Sequence, residues 1–390
     1  MCDPSKTVTG ISTGASRFPE PSDEKAARLS AAIEKMAGSA SNLESTGSTL
    51  PSVATLKQRI GARLGSADVE NELPHALKSS LANELAEKGH ALATHISRGE
   101  VRSDDLNAPG LANLEAVIRV VGRPAWYVRN DAPEVGNKND LSRDEEFWIV
   151  QIGNAGKELR RICARVGVVT VVNDGQPIPF GTAWVVGERT VITNAHVGKQ
   201  LAHQPPGIAA DDPRQGWRMR PGVRGVIDFA FENGVKRSAP FDVEDLLYLE
   251  TSQVPDVAVF RVRESGAAIP PPITMDLTNR ADWRDTNVFA AGHPIRDLQN
   301  DPHVDMVFGP LDGTKRFSPG KLIAVLGGTV LAHDCSTTNG SSGSPIVDFV
   351  SLKAVGLHYF GSPGARNESV LLAAYAGHPA IVKSLSGAWV

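Results

Sequence analysis

The chain has 390 residues, with 40 lysines and arginines against 44 aspartates and glutamates and a formal net charge of -4 at pH 7. That balance speaks against a nucleic-acid binder, while an apolar content of 41% is enough to build the cores of two or three domains. Cys2, Cys163 and Cys335 are too few and too scattered for a disulfide framework or a zinc site, and no apolar window reaches the length of a membrane span. The expectation is a soluble, cytoplasmic protein with reduced thiols and no membrane association.

Residues 1–22 are rich in Ser, Thr, Gly and Pro and carry little to bury, which predicts a flexible tail with no secretory leader. Helical spacing begins after Ser22, where Ala26, Ala27, Leu29, Ile33 and Met36 recur, and Ser39 to Thr49 reads as a linker. Leu56, Ile60 and Leu64 mark a short helix, and Val69 to Ile96 a longer helical pattern interrupted by Pro74. Residues 23–110 are therefore expected to form a helical module that docks a protein partner or the downstream domain. Its His75, His90 and His95 do not read as a metal site. His90 and His95 fall on different helix faces, and no carboxylate or cysteine completes a ligand set.

Residues 111–164 read as a connecting segment. Within it, Leu111 to Val121 is a further helix, Ala125 to Val128 a strand, and Asp131 to Asp144 a charged loop. Phe147 to Ala164 is amphipathic, with Trp148, Ile149, Ile152, Leu159 and Ile162 on one side. From Val166 the period changes to short strands separated by Gly, Pro and Asp turns, the pattern of a mainly β domain over residues 165–390.

Three residues in that domain carry chemistry. Val191 to Val197 reads as a strand leading into His196, whose ordinary pKa near neutrality suits a general base. Asp256 stands just before the apolar run Val257 to Val262, where it can accept the imidazole N–H and fix its tautomer. Asp242 and Asp245 compete for that role but read more simply as a solvated acidic edge. In Gly340-Ser341-Ser342-Gly343-Ser344-Pro345 the backbone must turn sharply and present its N–H groups, the loop that an acyl-transfer enzyme builds around a serine nucleophile, here Ser342. His203, His293, His303, His333 and His378 have no such context, and Lys315 to Lys321 reads as a solvated basic turn.

The segments Gly181-Thr182-Ala183-Trp184, Thr193-Asn194-Ala195-His196, Asp256-Val257-Ala258-Val259 and Gly340 to Pro345 resemble, in order and spacing, those of the trypsin-like serine proteases of the chymotrypsin-fold superfamily. The resemblance implies two six-stranded β-barrels behind an N-terminal helical module, with His196 and Asp256 on the first barrel and Ser342 on the second. It also implies an oxyanion hole from the N–H groups of Gly340 and Ser342, peptide-bond hydrolysis through an acyl-enzyme, and no metal or cofactor. Ser341 precedes the nucleophile where zymogen-activated members carry an aspartate, so the N-terminal extension is not expected to act as a propeptide of that kind.

The position that is aspartate in trypsin is Ser336, which gives no support to cleavage after Lys or Arg. Cys335 to Pro345 and Gly356-Leu357-His358-Tyr359 are instead similar to stretches of bacterial glutamyl endopeptidases, in which the counterparts of Thr337 and His358 bind an acidic side chain. The substrate is then a protein or peptide cut after an acidic residue, with small or uncharged residues as the alternative. A different class stays open as well: a partner-gated or non-catalytic binding protein on a protease fold, with the helical module as its recruitment domain.

Overall fold

Leu56, Ile60 and Leu64 recur every four residues and are fully buried along one face of helix α1 (Val53–Leu64). They pack on Leu81, Ala82, Leu85 and Ala86 of α2 (His75–Ser97), and a Lys57–Glu87 ion pair of 2.6 Å ties the two helices at the surface. The computed structural model describes residues 52–64, 75–97, 100, 123–135, 143–173, 175–205, 216–235, 240–250, 255–264, 266–296, 309–361 and 367–387. The expected tail, the helix after Ser22, the linker to Thr49 and the helix Leu111 to Val121 lie outside the described residues. Among those residues no helix is long and apolar enough to cross a membrane.

The segment read as a connector supplies strand β1 (Trp126–Arg129), the short β2 (Ala132–Pro133) and helix α3 (Arg143–Cys163). Trp148, Leu159 and Ile162 of α3 are buried as their spacing predicts, and Ile149 and Ile152 pack partly buried beside them.

A first barrel follows, built from β3 (Val166–Asn173), β4 (Gln176–Gly187), β5 (Thr190–Thr193), β8 (Arg224–Asp228), β9 (Pro240–Leu249) and β10 (Ala258–Val262). Helix α4 (Ala195–Leu201) and a small hairpin, β6 (Ala202–His203) with β7 (Arg218–Met219), interrupt the chain between β5 and β8. The six barrel strands close in the order β10-β5-β4-β3-β8-β9. Next come β11 (Asn287–Gly292), β12 (Arg316–Leu326), β13 (Val330–His333), β14 (Pro345–Asp348), β15 (Ala354–Gly361) and β16 (Asn367–Leu371), and a last helix, α5 (Pro379–Ser386). These strands run in the order β11-β14-β15-β16-β13-β12, and β12 returns to β11, so a second ring closes as well.

The structure is thus mainly β, with two closed barrels behind N-terminal helices. Closure leaves neither ring with a raw edge. The first barrel is filled by residues such as Val185, Leu249 and Phe260. A further core lies between the barrels and α3, where Phe289 and Phe317 stack at 4.7 Å beside Trp148 and Trp184. Each buried side chain of that size contributes about 1.5 to 3 kcal/mol.

β1 is an added strand on the second barrel, pairing Trp126 with Phe317 and Tyr127 with Arg316 of β12. The stretch from Lys315 to Lys321 is therefore not the solvated turn that its composition predicts. Lys315 is fully buried, and its ammonium donates to Cys163 O (2.9 Å), Phe229 O (2.7 Å) and Glu232 Oε1 (3.1 Å). The physical reason is the end of α3, whose last carbonyls lack helical partners and attract a cation, with buried Glu232 completing the charge balance. Replacing Lys315 by alanine is expected to lower the unfolding free energy by about 3 to 5 kcal/mol, because it strips buried Glu232 of that cation. Urea unfolding measures this, and Lys315→Met combined with Glu232→Gln should recover most of the loss. A change below about 1 kcal/mol in the single variant would contradict the argument.

Candidate active site

β5 ends at Thr193 and the chain turns through Asn194 into α4, so His196 stands in the first turn of a short helix rather than at the strand end the sequence predicts. Asn194 causes the turn. Its backbone is extended, and its side-chain amide donates to Asp256 O at 2.9 Å, drawing the helix start onto the loop before β10. Because Thr193 pairs with Ala258 across the β5–β10 ladder, Asp256 then lies beside the histidine. The His196 N–H donates to Asp256 Oδ1 at 3.1 Å, and the ring Nδ1 lies 2.5 Å from Oδ2. With both carboxylate oxygens engaged, the aspartate is held in one orientation. An acceptor at Nδ1 puts the ring proton there and leaves Nε2 able to take another.

Ser342 lies on the loop between β13 and β14. Two glycines shape it: Gly340 and Gly343 have φ of 80° and 91°, and a Cβ would stand 2.4 Å from His293 O at the first and 1.9 Å from Thr182 O at the second. The N–H groups of Ser341, Gly343 and Ser344 donate to Thr338 O, His358 O and Ser341 O. Those of Gly340 and Ser342 donate to no protein acceptor among the described residues, so two donors of the loop are left for a ligand.

Thr182 of β4, fully buried, joins this loop to the first barrel. Its N–H donates to Ser342 O (2.9 Å) and its hydroxyl to Gly340 O (2.8 Å), while its own carbonyl accepts from Thr193 Oγ1 (2.7 Å). One residue therefore tethers the serine loop and the strand that leads to His196. Among the described residues no hydrogen bond joins Ser342 Oγ to His196; the link between them runs through Thr182 and Thr193.

Next to the serine loop, β14 gives way opposite Leu357, and β15 carries His358 into the site. The backbone of His358 accepts from Gly343 N (2.8 Å) and donates to Ser344 O (2.9 Å), and its ring Nδ1 lies 3.2 Å from His333 Nε2. Thr337 Oγ1, Ser369 Oγ and His333 Nδ1 are buried with no protein partner among the described residues. A Cβ on Gly361 would lie 2.5 Å from Asn367 Oδ1 and 3.6 Å, an ordinary contact, from Thr337 Oγ1.

Burial, then the neighbouring His333 and His196, holds His358 well below the ordinary imidazole range, and burial pushes His333 down to about 4. The charged His358 that acidic recognition invites is therefore neutral in the unliganded site.

His333 and Thr182 were not legible as site residues. His333 merely ends an apolar strand, and only the pairing of β13 and β15 with β16 brings it to His358. Thr182 sits in the Gly-Thr-Ala-Trp motif, which hints at its position but not at its hydrogen bonds to Ser342, Gly340 and Thr193.

Residues 181–357 match the model of the trypsin-like peptidase domain, a span that includes His196, Asp256 and Ser342. No curated protein matches the chain. Among solved structures, the active form of the Rv3671c protease from M. tuberculosis is 15% identical, covering 58% of this chain and 84% of its own, with a TM-score of 0.37. A serine endoprotease from Yersinia pestis is 16% identical, covering 60% and 68%, with a TM-score of 0.39. The fold itself rests on the strand pairing described above rather than on these distant likenesses. Residues 181–357, which lie within the two closed rings, are thus similar to a trypsin-like peptidase domain.

Proposed function

We propose that the protein is a serine endopeptidase. Ser342 attacks the peptide carbonyl, His196 takes its proton and returns it to the leaving amine, and Asp256 orients His196 and stabilises the imidazolium. The N–H groups of Gly340 and Ser342 hold the oxyanion, at about 3 to 4 kcal/mol per donor in the transition state. Water then releases the acyl group. The observation that carries this reading is the two-point contact of His196 with Asp256, at 3.1 and 2.5 Å, on a strand pair tied through Thr182 to the Ser342 loop. Cys163 and Cys335, buried as free thiols, support a reducing, cytoplasmic setting.

In this reading Thr337 and His358 receive the side chain before the cut, and it is acidic. The Thr337 hydroxyl, buried with no protein partner among the described residues, is a donor for a carboxylate. The sign of the pH effect follows from His358. It is neutral when free, and a carboxylate beside it raises its proton affinity, so binding takes up a proton and tightens as pH falls.

A mixed peptide library, cut by the wild type and read by mass spectrometry, is the test. Cuts after Glu and Asp are expected, with the preference for Glu over Gln growing between pH 8 and pH 6. Cuts spread over other residues would discard the acidic pocket and keep the protease, whereas an uncut library would rule out an ungated peptidase and leave a partner-gated enzyme or a binding protein. A second reading, an enzyme gated by a partner at α1 and α2, is favoured by one observation: Ser342 Oγ makes no hydrogen bond to His196 among the described residues.

A further inference from the structure

The loop from Asp334 to Ser341 carries Ser336, Thr337 and Gly340; Asn367 holds its backbone at Cys335 O, Ile295 at Asn339 O and Thr182 at Gly340 O, which leaves the stretch from Ser336 to Thr338 between those holds. Behind it lies a small, partly open pocket of about 10 Å³, room for one water at most, lined by Ser336, Thr337, Thr338, Ser341 and the fully buried Ser344, whose hydroxyl has no protein partner among the described residues. Ala125, from the chain that precedes both barrels, forms part of the opposite wall. The same short segment grips the start of the loop. Arg123 Nη2 lies 2.7 Å from Asp334 Oδ2, and Ser336 Oγ donates to Arg123 O at 2.7 Å. Asp334 Oδ1 in turn accepts from Lys321 N at 2.6 Å, close to where Gly320 lets β12 approach the loop. The Arg123 guanidinium also lies 5.7 Å from the Trp148 ring of α3, and β1 begins three residues later, so the gripping segment is itself anchored.

We propose that Arg123 is a positioning residue for the specificity loop. It acts through Asp334 and Ser336 to fix the wall at Thr337 and, further along, the oxyanion donor at Gly340. The inference rests on the protease reading for its kinetic consequence but not for its structural one. A pocket wall backed by a void has room to shift, and a displacement of about 1 Å near a reacting carbonyl is enough to lower rates as much as a hundredfold. The ion pair and the Ser336 bond supply the stop that packing does not.

Two variants test this in the full chain. Arg123→Ala removes the guanidinium. Asp334→Asn breaks the charge pair and keeps an oxygen for Lys321 N, so it guards against an Arg123→Ala protein that fails to fold. Amide exchange over residues 334–344 should quicken by at least about threefold in both, with exchange in β3 to β5 unchanged. Against peptide substrates, kcat/KM should fall about tenfold, through KM at the Thr337 wall and kcat at the Gly340 donor together, and the gap between preferred and poor residues before the cut should narrow.

Because the two residues act through each other, the double variant should be no worse than either single one, and Arg123→Lys should restore part of the loss. Unchanged exchange in the loop, additive effects in the double variant, or a fall in kcat alone with selectivity intact would overturn the proposal. Were the wild type to cleave nothing, the reading of an ungated protease would fall while the exchange data still decided whether Arg123 holds the loop.

Discussion

Replacing Ser342 by alanine is expected to lower kcat/KM by about four to six powers of ten, or roughly 5.5 to 8 kcal/mol of transition-state stabilisation. The magnitude follows from the division of labour in the site. Without the hydroxyl, His196 and Asp256 have no nucleophile to activate, and only the Gly340 and Ser342 N–H groups and the substrate cleft still lower the barrier of the reaction with water, by far less than an intact triad does. The backbone of the loop should survive, since Thr182 holds it through Gly340 O and Ser342 O rather than through the serine side chain. The variant should therefore bind peptide with little change while losing acyl-enzyme formation. A fluorogenic peptide assay beside equilibrium peptide binding separates the two. Activity within tenfold of the wild type would remove Ser342 from the mechanism.

The second large effect is a loss of stability in mild acid. His293 and His333 are fully buried, and burial is the first cause of their depressed pKa values, about 3 and about 4 against an ordinary 6.5. A histidine depressed on folding binds its proton in the unfolded chain first. Its contribution is whole above pH 6.5 and shrinks as pH falls toward the folded value. At pH 5 each of the two has lost about 2 kcal/mol, so together they remove about 4 kcal/mol, and His358 adds to the loss in the same direction. Carboxylates with ordinary pKa values are still ionised in both states at that pH, which makes the window from pH 7.5 to 5 specific to imidazole. Urea unfolding at the two pH values measures it. An equal midpoint at both would mean that these rings are solvated or charged in the folded protein.

What could be read from the sequence is what is encoded locally. The change from helical to strand period at Val166 marks the mainly β domain because buried strands repeat every two residues whatever they pair with. Ser342 is legible because a loop that turns through two left-handed residues needs glycine on either side of the nucleophile pair. His196 and Asp256 are legible only in order and neighbourhood. The short helix under His196 is not, since seven residues with Val and Gly among them carry little helical propensity of their own and depend on the Asn194 tether.

Long-range partners escape the same reading. Lys315 looks like surface because nothing beside it in the chain announces the end of a helix at Cys163. His333 meets His358 through strand pairing, and Arg123 meets Asp334 only because β1 joins a strand that begins at Arg316. Each of these is a charge or hydrogen bond satisfied by a group far away in sequence, and composition describes such groups as solvated by default.

The sharing of the site between two rings sets a schedule for the newborn protein. His196 and Asp256 belong to a barrel whose last strand ends at Val262, but the serine loop cannot be seated until β16, ending at Leu371, closes the other ring. Strand β1 leaves the ribosome early and waits for β12 before it has a partner. At roughly 5 to 20 residues per second, about 5 to 20 seconds of translation separate the first barrel from a complete catalytic centre. In the proposed mechanism, the growing polypeptide would throughout that interval carry the base His196 without a seated Ser342.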